Sequence, residues 1–224
     1  MLAHLPRRAA RRLLFEFTHR VSTLRMRSNL TEGDPSIELF LERCRGLTAP
    51  RVLELGTRRS IADQCTMHRD WVPHAREYLG CDIAGGIDVD LVADVHRLAD
   101  VVGEERFDVI ISCSSFEHFK YPHLAAHQIM RTLKVSGLLF IQTHQSFPLH
   151  AYPYDYFRFS REALRGLFGT KMGFDVIATN YDFPARIFTG RIKGCHAAPA
   201  FLNSCLFGEK TGTTPAEYVY ELDG

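Results

Sequence analysis

The chain has no G-x-G-x-x-G fingerprint, no C-x-x-C pair and no apolar run long enough to span a bilayer. The missing fingerprint argues against the usual dinucleotide turn. The six cysteines (Cys44, Cys65, Cys81, Cys113, Cys195 and Cys205) are scattered, and two lie inside apolar strand-like runs. Free thiols in a reducing compartment account for them better than disulfides or zinc ligands. Net charge is low too, at +1, which gives no global reason to expect a nucleic-acid partner. There is no signal-peptide h-region with a small-residue cleavage site, so a cytoplasmic protein without a transmembrane segment is expected.

What is present is enough for one core. A chain of 224 residues with 46% hydrophobic content suits a single α/β domain with additions. The first 28 residues stand apart: seven arginines face one acid, Glu16. Leu14, Phe17, Val21 and Leu24 make a stripe at helical spacing. Residues 1–33 read as a basic amphipathic segment ahead of a domain over 34–224. It could pack on that domain, lie on a membrane surface or acidic partner, or act as a targeting peptide.

From Arg51 to Thr143, apolar runs end repeatedly in polar residues or small-residue turns. The pattern predicts strands at Val52–Leu55, Tyr78–Ile83, Val89–Ala93, Phe107–Cys113 and Leu138–Thr143. Helices are expected over about Ile37–Arg45, after an Asp34-Pro35 cap, and over His96–Val102 and His123–Lys134. Ile61, Cys65 and Met67 allow another helix before Trp71 and Pro73. Gly137 ends a connection. Ser160 should cap a helix, and Phe174–Thr179, Phe201–Phe207 and Tyr218–Leu222 read as late strands. Alternating strands and helices imply a parallel sheet, with too little helix among the late strands to avoid an antiparallel edge.

Functional groups in such a sheet sit at the carboxyl ends of its strands. Gly56 leaves the first strand in E-L-G-T-R-R-S, either for close ligand approach or as a structural turn. Asp82 leaves the second, placed to accept from ribose hydroxyls or to cap a turn. Asp94 leaves the third, able to accept from an adenine amine. The three in register point to an adenosine-containing ligand. Asp88, Asp90 and Asp94 alternate along a strand and do not converge, so they imply no metal ion.

The order ELG, GCDI, VADVHRL, FDVIISCSSFEH, a helix ending R-T-L-K-x-x-G and an apolar strand resembles the class I S-adenosylmethionine-dependent methyltransferases. The match runs from about Arg51 to Phe168. It is similar to a bacterial small-molecule branch with a G-[ST]-R first loop (Gly56-Thr57-Arg58) and an H-x-Y-P-x-D-Y-x-R-F loop (His150–Phe159). The resemblance implies a Rossmann-like fold with a central, mostly parallel seven-stranded sheet and an antiparallel edge strand, with S-adenosylmethionine as cofactor. It places Glu54 and Gly56 at the cofactor's methionine end, with Thr57 and Arg58 of the same loop also cofactor-binding. Asp82 would bind its ribose and Asp94 its adenine, the neighbouring Ile83 and Val95 would also belong to the cofactor site, and Ser114 and Ser115 would face it from strand four. Two features depart from the family: the loop has no second glycine, and Lys134-Val135-Ser136-Gly137 replaces L-K-P-G-G.

Methyl transfer to a hydroxyl needs alignment and a base. His118 and His144 are the candidate bases; a histidine at a helix start also bonds readily to backbone. Glu117, His150, Tyr154, Asp155 and Arg158 are candidate acceptor contacts, with an Asp155–Arg158 brace of the loop as the simpler reading. The loop aromatics could cap the sheet or attract a sulfonium. The segment S-C-S-S-F-E-H is not the Asn/Asp-Pro-Pro-Tyr of nucleobase amino-methyltransferases, and the paired-glutamate loop of arginine methyltransferases is missing. The resemblance implies an enzyme that methylates a small molecule, a glycan or secondary metabolite, most readily at oxygen. The alternatives are a fold member with another reaction, or a non-catalytic partner protein. Oligomeric state is open, with a homodimer among the options.

Overall fold

The computed structural model describes residues 8–10, 12–14, 16–17, 20, 35–61, 63–189, 191–192, 195 and 198–217. Seven strands form one sheet: β1 (Arg51–Leu55), β2 (Glu77–Asp82), β3 (Leu91–Val92), β4 (Phe107–Cys113), β5 (Leu133–His144), β6 (Phe174–Ala185) and β7 (Ala200–Lys210). Their order is β3-β2-β1-β4-β5-β7-β6. The first five are parallel, and β7 runs antiparallel to both neighbours, β5 and the edge strand β6. The expected α/β class, parallel centre and antiparallel edge are all present.

Helices cover both faces, because strands apolar on both sides need cover on both. On one face α1 (Ser36–Arg45) sets Phe40 against Phe140 and Phe207, at ring separations of 5.1 and 5.7 Å, over Val52, Val109 and Ile111. On the other lie α2 (Leu98–Val102), α3 (Pro122–Thr132) and α4 (Arg161–Leu167). There Leu98, Ile129 and Leu164 pack on Leu53, Ile110 and Ile141. Each such side chain contributes about 1.5–3 kcal/mol by leaving water. Ser160 caps α4 as expected, its side chain accepting from the Ala163 amide.

Several boundaries differ from expectation. Strand β3 has only two residues, so Asp88, Asp90 and Asp94 do not alternate along it. Asp88 sits in a left-handed turn (φ 68°), Asp90 accepts from the Gly80 amide at 2.8 Å, and Asp94 caps a short 3-10 turn over Val95–Arg97. No helix forms among the described residues 61–67, and a 3-10 turn at Arg69–Trp71 takes its place. Lys134–Gly137 is not a connection but an irregularity inside β5, where the register with β4 shifts and Ser136 turns left-handed (φ 64°). Strand β6 continues six residues past Thr179, because pairing with β7 supplies partners as far as Ala185↔Ala200. The expected strand at Tyr218–Leu222 and the cap residue Asp34 lie outside the described residues.

Residues 8–10, 12–14, 16–17 and 20 are helical, and Leu13, Leu14 and Phe17 are more than half exposed. Val21 and Leu24, the rest of the expected stripe, lie outside the described residues. Among the described residues no helix is long and apolar enough to cross a membrane. All six cysteines are free, and burial pushes the Cys44 and Cys81 thiols up to about 12.

Candidate active site

The parallel register sets the exits of β1, β2 and β3 side by side. Leu55 lies opposite Cys81, and Asp82 opposite Val92. Gly56 turns out of β1 with φ 76°, a conformation that favours glycine, and its amide donates to the Cys81 carbonyl at 2.8 Å. Asp82 is partly exposed and accepts from the Arg58 amide (3.2 Å) and the Ala84 amide (3.2 Å). Asp94 accepts from the His96 amide at 3.0 Å and from His96 Nδ1 at 2.6 Å, with its carboxylate still half in solvent. Burial works against that carboxylate, and the His96 hydrogen bonds outweigh it, holding the pKa below its usual value. Beside Asp82 the apolar Ile83 is 71% exposed, whereas Val95 belongs to the core.

The loop without a second glycine is held by another device. Thr57 is buried and donates its hydroxyl to the Asp88 carbonyl (2.7 Å), and the Arg59 amide donates to Ile87 (3.2 Å). The Arg59 guanidinium makes a two-pronged pair with Asp88 at 2.7 and 3.1 Å, which lowers the Asp88 pKa. A Cβ at Gly86 would sit only 3.1 Å from Arg58 Cγ, so the Arg58 stem lies across that glycine. The G-T-R-R loop and the Gly80–Asp90 turn are thus one unit: backbone and guanidinium contacts between them replace the flexibility of a glycine-rich loop. Arg59 and Asp88 were not among the expected site residues, although both lie inside the motif stretches.

Glu54 is buried and fully engaged. It accepts from Tyr78 Oη (2.6 Å) and the His68 amide (3.1 Å), and it meets His68 Nδ1 at 2.6 Å. It ties β1 to β2 and to the turn before Trp71. Ser114 leaves β4 exposed, in a left-handed conformation (φ 49°). Ser115 is buried, donating to the Leu55 and Cys113 carbonyls at 3.2 and 2.9 Å.

Past β4, Glu117 is wholly buried and ringed by histidines. Its Oε2 accepts from Thr143 Oγ1 at 2.6 Å, and its Oε1 lies 3.1 Å from His144 Nε2 and 3.9 Å from the Nε2 of both His118 and His150. The loop over Phe147–Phe159 is stitched onto this group. The Tyr156 and Phe157 amides donate to the Glu117 carbonyl and the Phe159 amide to the His144 carbonyl, at 2.8–3.1 Å. Phe147 stacks on His144 at 3.9 Å, so His144 is covered while His118 stays partly open. His118 does not start a helix but ends a 3-10 turn over Phe116–His118, and its Nδ1 bonds to the Tyr154 carbonyl (2.8 Å). Asp155 and Arg158 form a two-pronged pair at 2.5 and 2.9 Å, and Arg158 also donates to the Phe147, Pro148 and Phe157 carbonyls. They brace the loop. Its tip, with Leu149, Tyr152 and Tyr154, is exposed.

The family model described as a methyltransferase domain matches residues 2–179, well over half of the chain. This chain belongs to the methyltransferase-domain family. The matched span begins inside the basic segment. Solved structures agree on the fold. A candidate methyltransferase from Bacillus halodurans is 12% identical, covering 80% of this chain and 100% of its own, with a TM-score of 0.57. An S-adenosylmethionine-dependent methyltransferase from Mesorhizobium loti is 13% identical over 79% of this chain and 99% of its own, at 0.51. A candidate methyltransferase from Haloferax volcanii, in complex with the Trm112 methyltransferase activator, is 17% identical over 79% of this chain and 89% of that one, also at 0.51. No curated protein matches. This methyltransferase-family chain therefore carries Gly56, Asp82 and Asp94 on the strand ends where the fold offers a ligand crevice.

Proposed function

We propose that the chain binds S-adenosylmethionine across the exits of β1 to β4 and methylates a small-molecule acceptor, a glycan or secondary metabolite, at oxygen. The observation that carries the reading is the side-by-side placement of Gly56, Asp82 and Asp94 at adjacent parallel strand ends. Asp82 accepts from the ribose hydroxyls and Asp94 from the adenine amine, while exposed Ile83 offers an apolar face to the base. The Gly56-Thr57-Arg58 turn and Ser114 border the methionine end, with Glu54 and Ser115 setting the backbone beneath it.

The acceptor lies under the 147–159 loop, near His150 and Tyr154. His118 is the better-exposed base candidate. His144, beneath Phe147, supports it. Removal of the hydroxyl proton by such a base contributes about 10²–10⁴-fold. The basic segment of residues 1–33 docks on an acidic membrane surface, a reading its exposed Leu13, Leu14 and Phe17 support. The free cysteines fit work in the cytoplasm.

Calorimetry with S-adenosylmethionine and S-adenosylhomocysteine tests the cofactor. One equivalent of each should bind; no binding to folded protein would overturn the proposal. Binding without turnover on a broad acceptor panel would favour the fold's other uses. One of these is an enzyme awaiting an activating protein, as the complex of the similarly folded Haloferax protein with the Trm112 activator illustrates.

A further inference from the structure

We propose that Glu117, His144 and His150 form a binding site for a divalent transition-metal ion of the zinc class. One ligand atom from each of the three lies within 4.8 Å of the others, and the Nε2 atoms of His144 and His150 lie 3.1 and 3.9 Å from Glu117 Oε1. Four-coordinate ligation at bonds of 2.0–2.1 Å sets neighbouring donors about 3.3 Å apart, so small side-chain adjustments close the set.

The hydrogen bonds behind these groups argue for a cation more strongly than the distances do. His144 Nδ1 lies 2.9 Å from Asn203 Oδ1, and His150 Nδ1 lies 3.1 Å from the Pro148 carbonyl. Both partners are acceptors, so each Nδ1 carries the hydrogen and each Nε2 is left with a lone pair. Those two lone-pair nitrogens face the same carboxylate oxygen. Glu117 Oε1, wholly buried, receives no hydrogen bond from any described residue, although His144 Nε2 is only 3.1 Å away. The other carboxylate oxygen is held by Thr143. Three electron-rich atoms thus converge, each with its far side tied by a hydrogen bond. Ligating histidines and carboxylates are supported in this way in metal sites.

Burying such a group with nothing positive at its centre is costly. Two imidazoles and one carboxylate suit zinc and its first-row neighbours better than magnesium or calcium, which prefer oxygen. His118 Nε2, 3.9 Å from the same oxygen, has its Nδ1 tied to the Tyr154 carbonyl and adjoins the site. Three protein ligands leave a coordination position that an acceptor oxygen could take. That last consequence rests on the methyltransferase reading; the metal binding does not.

The test uses the full chain, tag-free and dialysed against chelator, with zinc followed by calorimetry and by metal analysis after desalting. Cobalt(II), through its visible absorption, reports four-coordinate nitrogen–oxygen ligation. Wild type should take up one equivalent. His150→Ala, on a surface loop, should weaken uptake more than about a hundredfold, and Asn203→Ala, which frees only the far side of His144, by about 10–100-fold. His123→Ala, outside the cluster, should change nothing. No uptake by folded wild type would overturn the site and mean that protons alone neutralise the cluster. Uptake undiminished in both His150→Ala and Glu117→Gln would place the ion elsewhere and also overturn it. Because neither readout requires S-adenosylmethionine, failure here is distinguishable from failure of the cofactor reading.

Discussion

Ser115 fills the space that a side chain at Gly56 would need: a Cβ there would lie 1.9 Å from Ser115 Oγ and 2.8 Å from its Cβ. The exits of β1 and β4 interlock at this point, in a left-handed turn. Gly56→Ala meets both obstacles. The backbone conformation costs about 1–3 kcal/mol, and displacing Ser115 breaks its bonds to Leu55 and Cys113. Chemical denaturation should show Gly56→Ala losing more than the conformational cost alone. Gly56→Ala/Ser115→Gly should recover part of that excess. Strict additivity of the two changes would disprove the interlock.

The two proposed halves of the site should separate in kinetics. Asp82→Ala removes charge-assisted acceptors and should weaken cofactor binding by about tenfold to a hundredfold, read by calorimetry. His118→Ala should lower kcat by about 10²–10⁴ with cofactor affinity nearly unchanged. The reverse pattern would exchange the roles.

The first loop should depend on acid in one direction only. The Arg59 guanidinium holds the Asp88 pKa below its ordinary 3.8, so the folded state binds fewer protons than the unfolded chain. The contribution is therefore complete above pH 3.8 and fades as pH falls through the lowered folded value. Asp88→Asn should destabilise the protein at neutral pH, and the gap to wild type should shrink only below pH 3.8. A gap that already closes by pH 5 would contradict the pairing.

Lys210 is 1% exposed and donates to the Met130 and Leu133 carbonyls, at 2.8 and 2.6 Å, at the C-terminal end of α3. Lys210→Met keeps the stem but removes the lysine's bonds to both carbonyls and its pair with Glu105. It should cost roughly 1–3 kcal/mol in urea unfolding. No change in midpoint would mean that water satisfies the carbonyls.

Deleting residues 1–28 should abolish co-sedimentation with anionic vesicles and leave binding to neutral ones as weak as before. Unchanged association with the anionic vesicles would end the membrane reading of that segment.

Local pattern determined much of this protein. Apolar, β-branched runs and their polar exits located the central strands and put Gly56, Asp82 and Asp94 at strand ends, because periodicity and turn chemistry act over a few residues. Order along the chain also told β1 to β5 as parallel. Tertiary structure decided the rest. The length of β6 depends on β7 as a partner, which no local signal in Asn180-Tyr181-Asp182 contains. The first turn of α1 takes an acceptor from Asn180 Oδ1, 144 residues away, to the Ser36 amide at 3.1 Å. Arg59 met Asp88 only once two motif stretches folded onto each other, replacing an absent glycine with a salt bridge. Glu117, His144 and His150 were each legible in the sequence as reactive groups. Only the loop folding back onto β4 and β5 brought them to one point, and a cost in buried charge arises from that convergence, not from any residue alone.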